Sequence, residues 1–331
     1  MSKLQLDRIV WVRVLVLASM LLATTASTYF LMREHAASQG VLQRFHKLAR
    51  VPLAQQRAEW RPRIGSIALV AHILPLDKAD KRGTTEAIAR YFAAGVFLTG
   101  LFYILTDARA APFMLLGTLA ALVYCNTPRA EDTWYPWDVP ALVLSAAALW
   151  LAVRRRRLPL VLLAIAAVPF KETLLVMAAL LLFFEDRPLR QRVAWVGCAL
   201  VAGIALRWGI EAWIGDAVDH SRFLHVHGKS ERPLRLLDNL RYVLDTHPNH
   251  VLWTNAGLWA LVFVIPSRDR VRAGFRWIAA LLYLGLLFAG SFNEFRVFLE
   301  ALPGSLLLAH GLFDHGPRVT LGGGAADEGI R

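Results

Sequence analysis

The chain has 331 residues, of which 56% are apolar and only 19% charged. That balance leaves too few charges to solvate one soluble domain of this length, and blocks such as Ile9 to Met32 and Val193 to Ile214 reach the roughly 20 apolar residues that cross a bilayer. The formal charge of +12 is spread in short basic runs between the blocks, as in Arg154-Arg155-Arg156-Arg157 and Arg268-Asp269-Arg270, a pattern of membrane loops that argues against nucleic acid as a partner.

In chain order, spans are expected near 9–32, 86–106, 110–125, 137–153, 193–214, 251–266, 275–290 and 297–313. The first block has a basic start (Lys3, Arg8), but Arg13 interrupts it and no small-residue cleavage site closes it, so it reads as an uncleaved span. The stretch Gln39 to Trp60 reads as an amphipathic surface helix, and Ile64 to Leu76 is too short to span and reads as interfacial or re-entrant.

Orientation follows from the four-arginine run, which is costly to translocate. Placing it inside puts the N-terminus in the cytoplasm and the segments 33–85, 126–136, 215–250 and 291–296 outside. Arg187-Pro-Leu-Arg190-Gln-Arg192 also reads as cytoplasmic, so Leu158 to Phe184 must begin and end on one side. Pro169 and Lys171-Glu172 interrupt that stretch midway. Two half-helices in a re-entrant hairpin, with the charged pair at the tip, satisfy both ends. The rival is one long tilted span with an intramembrane ion pair.

The expectation is therefore an all-α polytopic bundle of about eight full spans with short re-entrant or interfacial helices. Residues 1–315 form one transmembrane domain, and 316–331, Gly-rich at their centre, form a disordered cytoplasmic tail. Localisation is the bacterial inner membrane. Cys125 and Cys198 fall near opposite faces, form no disulfide and read as small buried helix residues.

This topology gathers the unusual polar residues on one side: Glu34, Arg61, Arg63, Glu131, Asp132, Asp138, Lys171, Glu172, Asn293, Glu294 and Arg296. Ionisable groups at membrane depth are expensive and mark sites or pathways. In Glu131-Asp132-Thr-Trp134-Tyr135-Pro-Trp137-Asp138, carboxylates beside rings suit a sugar, or the rings form an interfacial belt. Lys171 and Glu172 either neutralise each other, with Thr173 capping the second half-helix, or meet a phosphate and a sugar hydroxyl. Glu300 points into the membrane and needs a partner, and Arg207 is either a candidate partner for some buried carboxylate or a side chain that snorkels to the interface. Asp216, Asp219, His220, His225 and His227 could hold a divalent metal, or be solvated; no other cofactor is indicated.

Three elements in order resemble bacterial membrane proteins related to C-type glycosyltransferases. They are Trp137-Asp138-Val-Pro-Ala-Leu, then Lys171-Glu172-Thr173, then Asn293-Glu294-Phe-Arg296-Val-Phe, with Arg61-Pro-Arg63 as a further match. The resemblance implies a bundle whose periplasmic loops take a sugar from a polyprenyl-phosphate carrier and pass it to a glycan, lipid or protein acceptor. Membrane lipid and the carrier-linked sugar are then the partners. The family's catalytic aspartate position holds Glu34, in Leu31-Met-Arg33-Glu34-His35. Glu34 would be the general base, with Asp132 as fallback. Arg63, Lys171 and Arg296 would hold the donor phosphate, and Glu172, Asp138 and Asn293 would orient sugar hydroxyls. The alternative is a non-catalytic transporter or assembly subunit for lipid-linked envelope glycans.

Overall fold

A computed structural model describes residues 3–37, 39–51, 63–125, 134–214, 236–241, 269–289 and 299–311. Among them every regular element is helical. The elements are α1 (Lys3–Ala36), α2 (Gln39–Arg50), α3 (Ile64–Ile73), α4 (Lys81–Thr106), α5 (Ala111–Cys125), α6 (Asp138–Val153) and α7 (Arg157–Ala166). A 3₁₀ helix (Glu172–Phe183), α8 (Leu189–Ile214), α9 (Leu236–Arg241), α10 (Arg270–Ala289) and α11 (Leu302–His310) complete them.

Three helices are long and apolar enough to cross a membrane: Ile9–Ala36, Lys81–Thr106 and Leu189–Ile214. α5 and α6 have 15 and 16 residues, or about 22–24 Å at 1.5 Å per residue, short of the roughly 30 Å hydrocarbon core. The expected span 251–266 lies outside the described residues, as does the tail. The described residues of segment 33–85 are largely helical, holding the end of α1, α2, α3 and the start of α4.

The apolar surface is displayed in the way a bilayer requires. Along α1, Trp11, Leu15, Leu22 and Phe30 are all exposed. Its buried hydroxyls close on the helix itself: Thr24 and Thr28 each donate to the carbonyl four residues back, at 2.8 Å. Cys198 is exposed on α8, which corrects the expectation that it is buried; that face of α8 points away from the bundle. α4 is the central helix. Asp80 caps its start by accepting the Gly83 N–H at 2.8 Å. Gly95 and Gly100 let Val139, and Leu21 with Leu115, press against its backbone.

The stretch after α6 is a hairpin. The α6–α7 turn closes with Arg155 left-handed at φ 53°, while Arg156 N–H bonds Leu151 O at 2.8 Å and Arg155 N–H bonds Ala152 O at 2.9 Å. Pro159 sits in the first turn of α7, where its missing N–H is harmless, whereas Pro169 comes just after its end and prevents continuation. The chain returns through the 3₁₀ helix. Arg157, at the start of the hairpin, ion-pairs with Asp186 at its end, so the segment enters and leaves by one face. The stretch thus folds back as a hairpin with Lys171-Glu172 at its turn, the shape expected of it.

That face carries a ring of ionic ties. Arg154 donates to Leu105 O at the end of α4 (2.8 Å), Arg270 pairs with Glu185, and Arg272 pairs with Asp107 at 2.8 Å. The opposite face is tied by Arg33–Glu86 at 3.7 Å and by Tyr91 Oη donating to Pro136 O at 2.7 Å. Two charged rims therefore bracket an apolar bundle.

Candidate functional site

The site begins with a backbone defect. Where α7 stops at Pro169, carbonyls are left without helical partners, and α3 opens with N–H groups in the same condition. The two ends meet. Gly65 N–H donates to Pro169 O at 2.9 Å and Ser66 Oγ to Phe170 O at 3.3 Å. A Cβ on Gly65 would lie 3.1 Å from Pro169 O and 3.2 Å from the Phe170 ring, so glycine permits the contact.

This docking brings Arg63 to the hairpin tip. Its Nε and Nη2 donate to Glu172 Oε2 and Oε1 at 3.1 and 2.8 Å, a bidentate pair. Arg207, from α8, approaches the same carboxylate at 3.5 Å while its Nε donates to Glu211 at 2.6 Å. Burial works against the Arg63 charge. Glu172, then Glu300 and Asp138, more than offset it and hold its pKa above the ordinary arginine value.

Lys171 and Glu172 do not neutralise each other. Lys171 has extended backbone (φ −159°, ψ 113°), which sends neighbouring side chains in different directions. Lys171 Nζ lies 2.5 Å from Glu300 Oε1. Thr173 Oγ1 donates to the other oxygen of Glu300 rather than capping the 3₁₀ helix, and Ser145 Oγ donates to the Glu300 carbonyl. Ser145 is mid-way along α6, so this second pair sits inside the bundle. Arg207 and Glu300 thus both find the partners that their placement demanded.

The aromatic segment is packed rather than open. Trp134 and Trp137 are each 1% exposed, which corrects both the sugar platform and the interfacial belt. Trp137 stacks on Tyr135 at 4.5 Å and 12°, Arg63 covers the Trp137 ring at 4.6 Å, and Arg44 of α2 covers Tyr135 at 4.3 Å. Trp134 meets Phe92 edge-on at 5.1 Å. Asp138, 2% exposed, accepts the Tyr135 N–H at 2.8 Å.

Two properties define what this centre can do. Glu172 keeps 34% of its side chain exposed, whereas Lys171 and Glu300 keep 6% and 3%, so Glu172 is the outermost carboxylate of the two pairs. Arg207 Nη1 is buried and reaches Glu172 at ion-pair distance, 3.5 Å, without a hydrogen bond among the described residues, so the Arg207–Glu172 contact is the looser of the two that hold this carboxylate. The cations Arg63, Lys171 and Arg207 are matched by Glu172, Glu211, Glu300 and Asp138, so the centre carries no surplus positive charge for a phosphate among the described residues.

Glu34 stands elsewhere. It is exposed at the end of α1, in an open cleft of about 530 Å³ that it shares with Arg33, Lys81 and Arg82 and with none of the other candidates. α2 links the two regions: Leu42 lines the cleft and Arg44 reaches Tyr135. Arg61, Glu131, Asp132, Asn293, Glu294, Arg296 and the histidine loop 216–227 lie outside the described residues. Among the described residues no three His, Cys, Asp or Glu side chains group as a metal site. Glu211 was not anticipated, although its spacing four residues after Arg207 marks it. Compared with protein-family models, curated proteins and solved structures, the chain matches none.

Proposed function

We propose that the protein is a glycosyltransferase-like enzyme of the bacterial inner membrane that takes a sugar from a polyprenyl-phosphate carrier at the periplasmic face. The hairpin-tip centre holds the sugar. Glu172 accepts hydroxyl protons, Arg63 and Arg207 donate to sugar oxygens, and the Lys171–Glu300 pair fixes the tip on which Glu172 is mounted. The bundle is completed to about eight crossings by its shorter helices and the segment 251–266. In this reading Glu34, in the separate cleft at the end of α1, is the base that deprotonates the acceptor hydroxyl, with Asp132 as fallback, and the donor's sugar must extend from the hairpin tip to that cleft for transfer. The acceptor is a glycan, lipid or protein.

The observation that carries the reading is a partly exposed carboxylate, Glu172, held between Arg63 and Arg207 at a broken helix inside an apolar helical bundle. Transfer from a polyprenyl-phosphate sugar, measured in membranes holding the protein, tests it. Glu172→Gln and Glu34→Gln variants lose transfer if the assignment holds; both retaining full activity would remove it. The second reading, a non-catalytic transporter or assembly subunit, is favoured by one fact: Glu172 and Glu300 are both already engaged by cations. Wild-type protein that binds the donor without turning it over would select that reading.

A further inference from the structure

The cleft at the end of α1 has the surplus positive charge that the hairpin tip lacks. Arg33, Arg82 and Arg90 converge on one carboxylate, Glu86, at 3.7, 3.6 and 3.3 Å. Arg33, Lys81 and Arg82 line the cleft, and Glu34 is the acid among its lining residues. Among those residues three cations thus face one carboxylate, while Glu86, shared with Arg90, stands beside the cleft. The distances to Glu86 are those of loose sharing, and Arg82 keeps 84% and Arg33 41% of its side chain exposed, so guanidinium donors remain for an added anion.

The surroundings identify how that anion arrives. Phe30, 61% exposed and one turn before Glu34, lines the cleft and continues the lipid-facing surface of α1 through Leu22. A ligand entering here slides its apolar part along α1 and leaves its head between α1 and α4. We infer that this cleft binds the phosphate of a lipid headgroup, with Arg33, Lys81 and Arg82 as the phosphate contacts and Phe30 and Leu42 against the chain. The inference needs α1 to span the membrane and does not need sugar transfer, so the two fail separately.

The test is calorimetric titration of purified full-length protein in neutral detergent with short-chain phosphatidylglycerol, farnesyl phosphate, short-chain phosphatidylcholine and inorganic phosphate. Phosphatidylglycerol or farnesyl phosphate should bind at least ~10-fold tighter than phosphatidylcholine, and their ratio separates a phosphodiester from a monoester head. The triple variant Arg33→Gln/Lys81→Gln/Arg82→Gln should lose at least that factor, while Arg187→Gln/Arg190→Gln at the other rim keeps wild-type binding. Glu34→Gln should tighten binding by removing a repelling charge, a gain that misfolding cannot mimic. Equal binding of phosphatidylcholine, undiminished binding by the triple variant, or inorganic phosphate binding as well as the lipids would each overturn the inference.

Discussion

Lys171 Nζ and Glu300 Oε1 lie 2.5 Å apart, with both side chains buried, and the pair joins the hairpin tip to the chain just before α11. Removing one partner leaves a charge in the bundle with nothing to match it. Glu300→Ala should therefore destabilise by about 3–5 kcal/mol, whereas the double variant Lys171→Met/Glu300→Leu should recover most of that loss. Thermal unfolding in detergent, followed by tryptophan fluorescence, measures both. A double variant as unstable as the single one would show that the pair is not a unit.

The α3–hairpin contact depends on Gly65. A valine there places carbon against Pro169 O and the Phe170 ring, so α3 must withdraw, taking Arg63 from Glu172. Gly65→Val should cost about 1–3 kcal/mol and raise the solvent accessibility of residue 63. Reactivity of an Arg63→Cys reporter toward a polar maleimide, with and without Gly65→Val, reads the movement directly.

The α6–α7 turn contains its own strain. Arg155 occupies a left-handed position that glycine adopts freely. Arg155→Gly should raise stability by about 1 kcal/mol, with Arg154, Arg156 and Arg157 left to hold the orientation. A fall in melting temperature would mean that the Arg155 side chain does something its backbone does not reveal.

Asp107 supplies a pH dependence at the arginine-rich rim. Burial raises its pKa, but the Arg272 hydrogen bond and the N–H groups of Arg109 and Ala110 more than reverse that, so the folded value lies below 3.8. The folded pKa being the lower one, its stabilisation is complete above the unfolded value and is lost as pH falls through the folded value. Asp107→Asn should be less stable than wild type by about 1–3 kcal/mol at neutral pH. The two should converge as the pH drops below 3.8. A gap that stays constant with pH would assign the loss to packing.

Much of the architecture was legible because its signals are local. Pro169 and Lys171-Glu172 interrupt an apolar run whose two ends are both basic, and the hairpin follows. Glu300 stands out as needing a partner because it is a charge among apolar neighbours, and Arg207 as either the partner of a buried carboxylate or a snorkelling side chain. The pairing itself was not legible. Lys171 takes Glu300 instead of Glu172 because extended backbone turns adjacent side chains apart, and no local pattern records that α11 approaches α6 at Ser145. The aromatic segment misled for a related reason: rings beside carboxylates look the same in sequence whether they stack on a sugar or on Arg63. The cleft at Glu34 was invisible, since Arg33 and Lys81-Arg82 become neighbours only when α1 packs on α4.

Segment 157–186 enters and leaves by one face and carries Lys171-Glu172 into the bundle. Single cysteines at Arg157, Asp186, Arg109 and Lys81, in a background with Cys125 and Cys198 replaced by serine, can be labelled by a membrane-impermeant maleimide in intact cells and in inverted vesicles. Positions 157, 186 and 109 should label from one face, and position 81 from the opposite face. Labelling of 157 and 186 from opposite faces would make the segment a single span, and the hairpin-tip site would not exist.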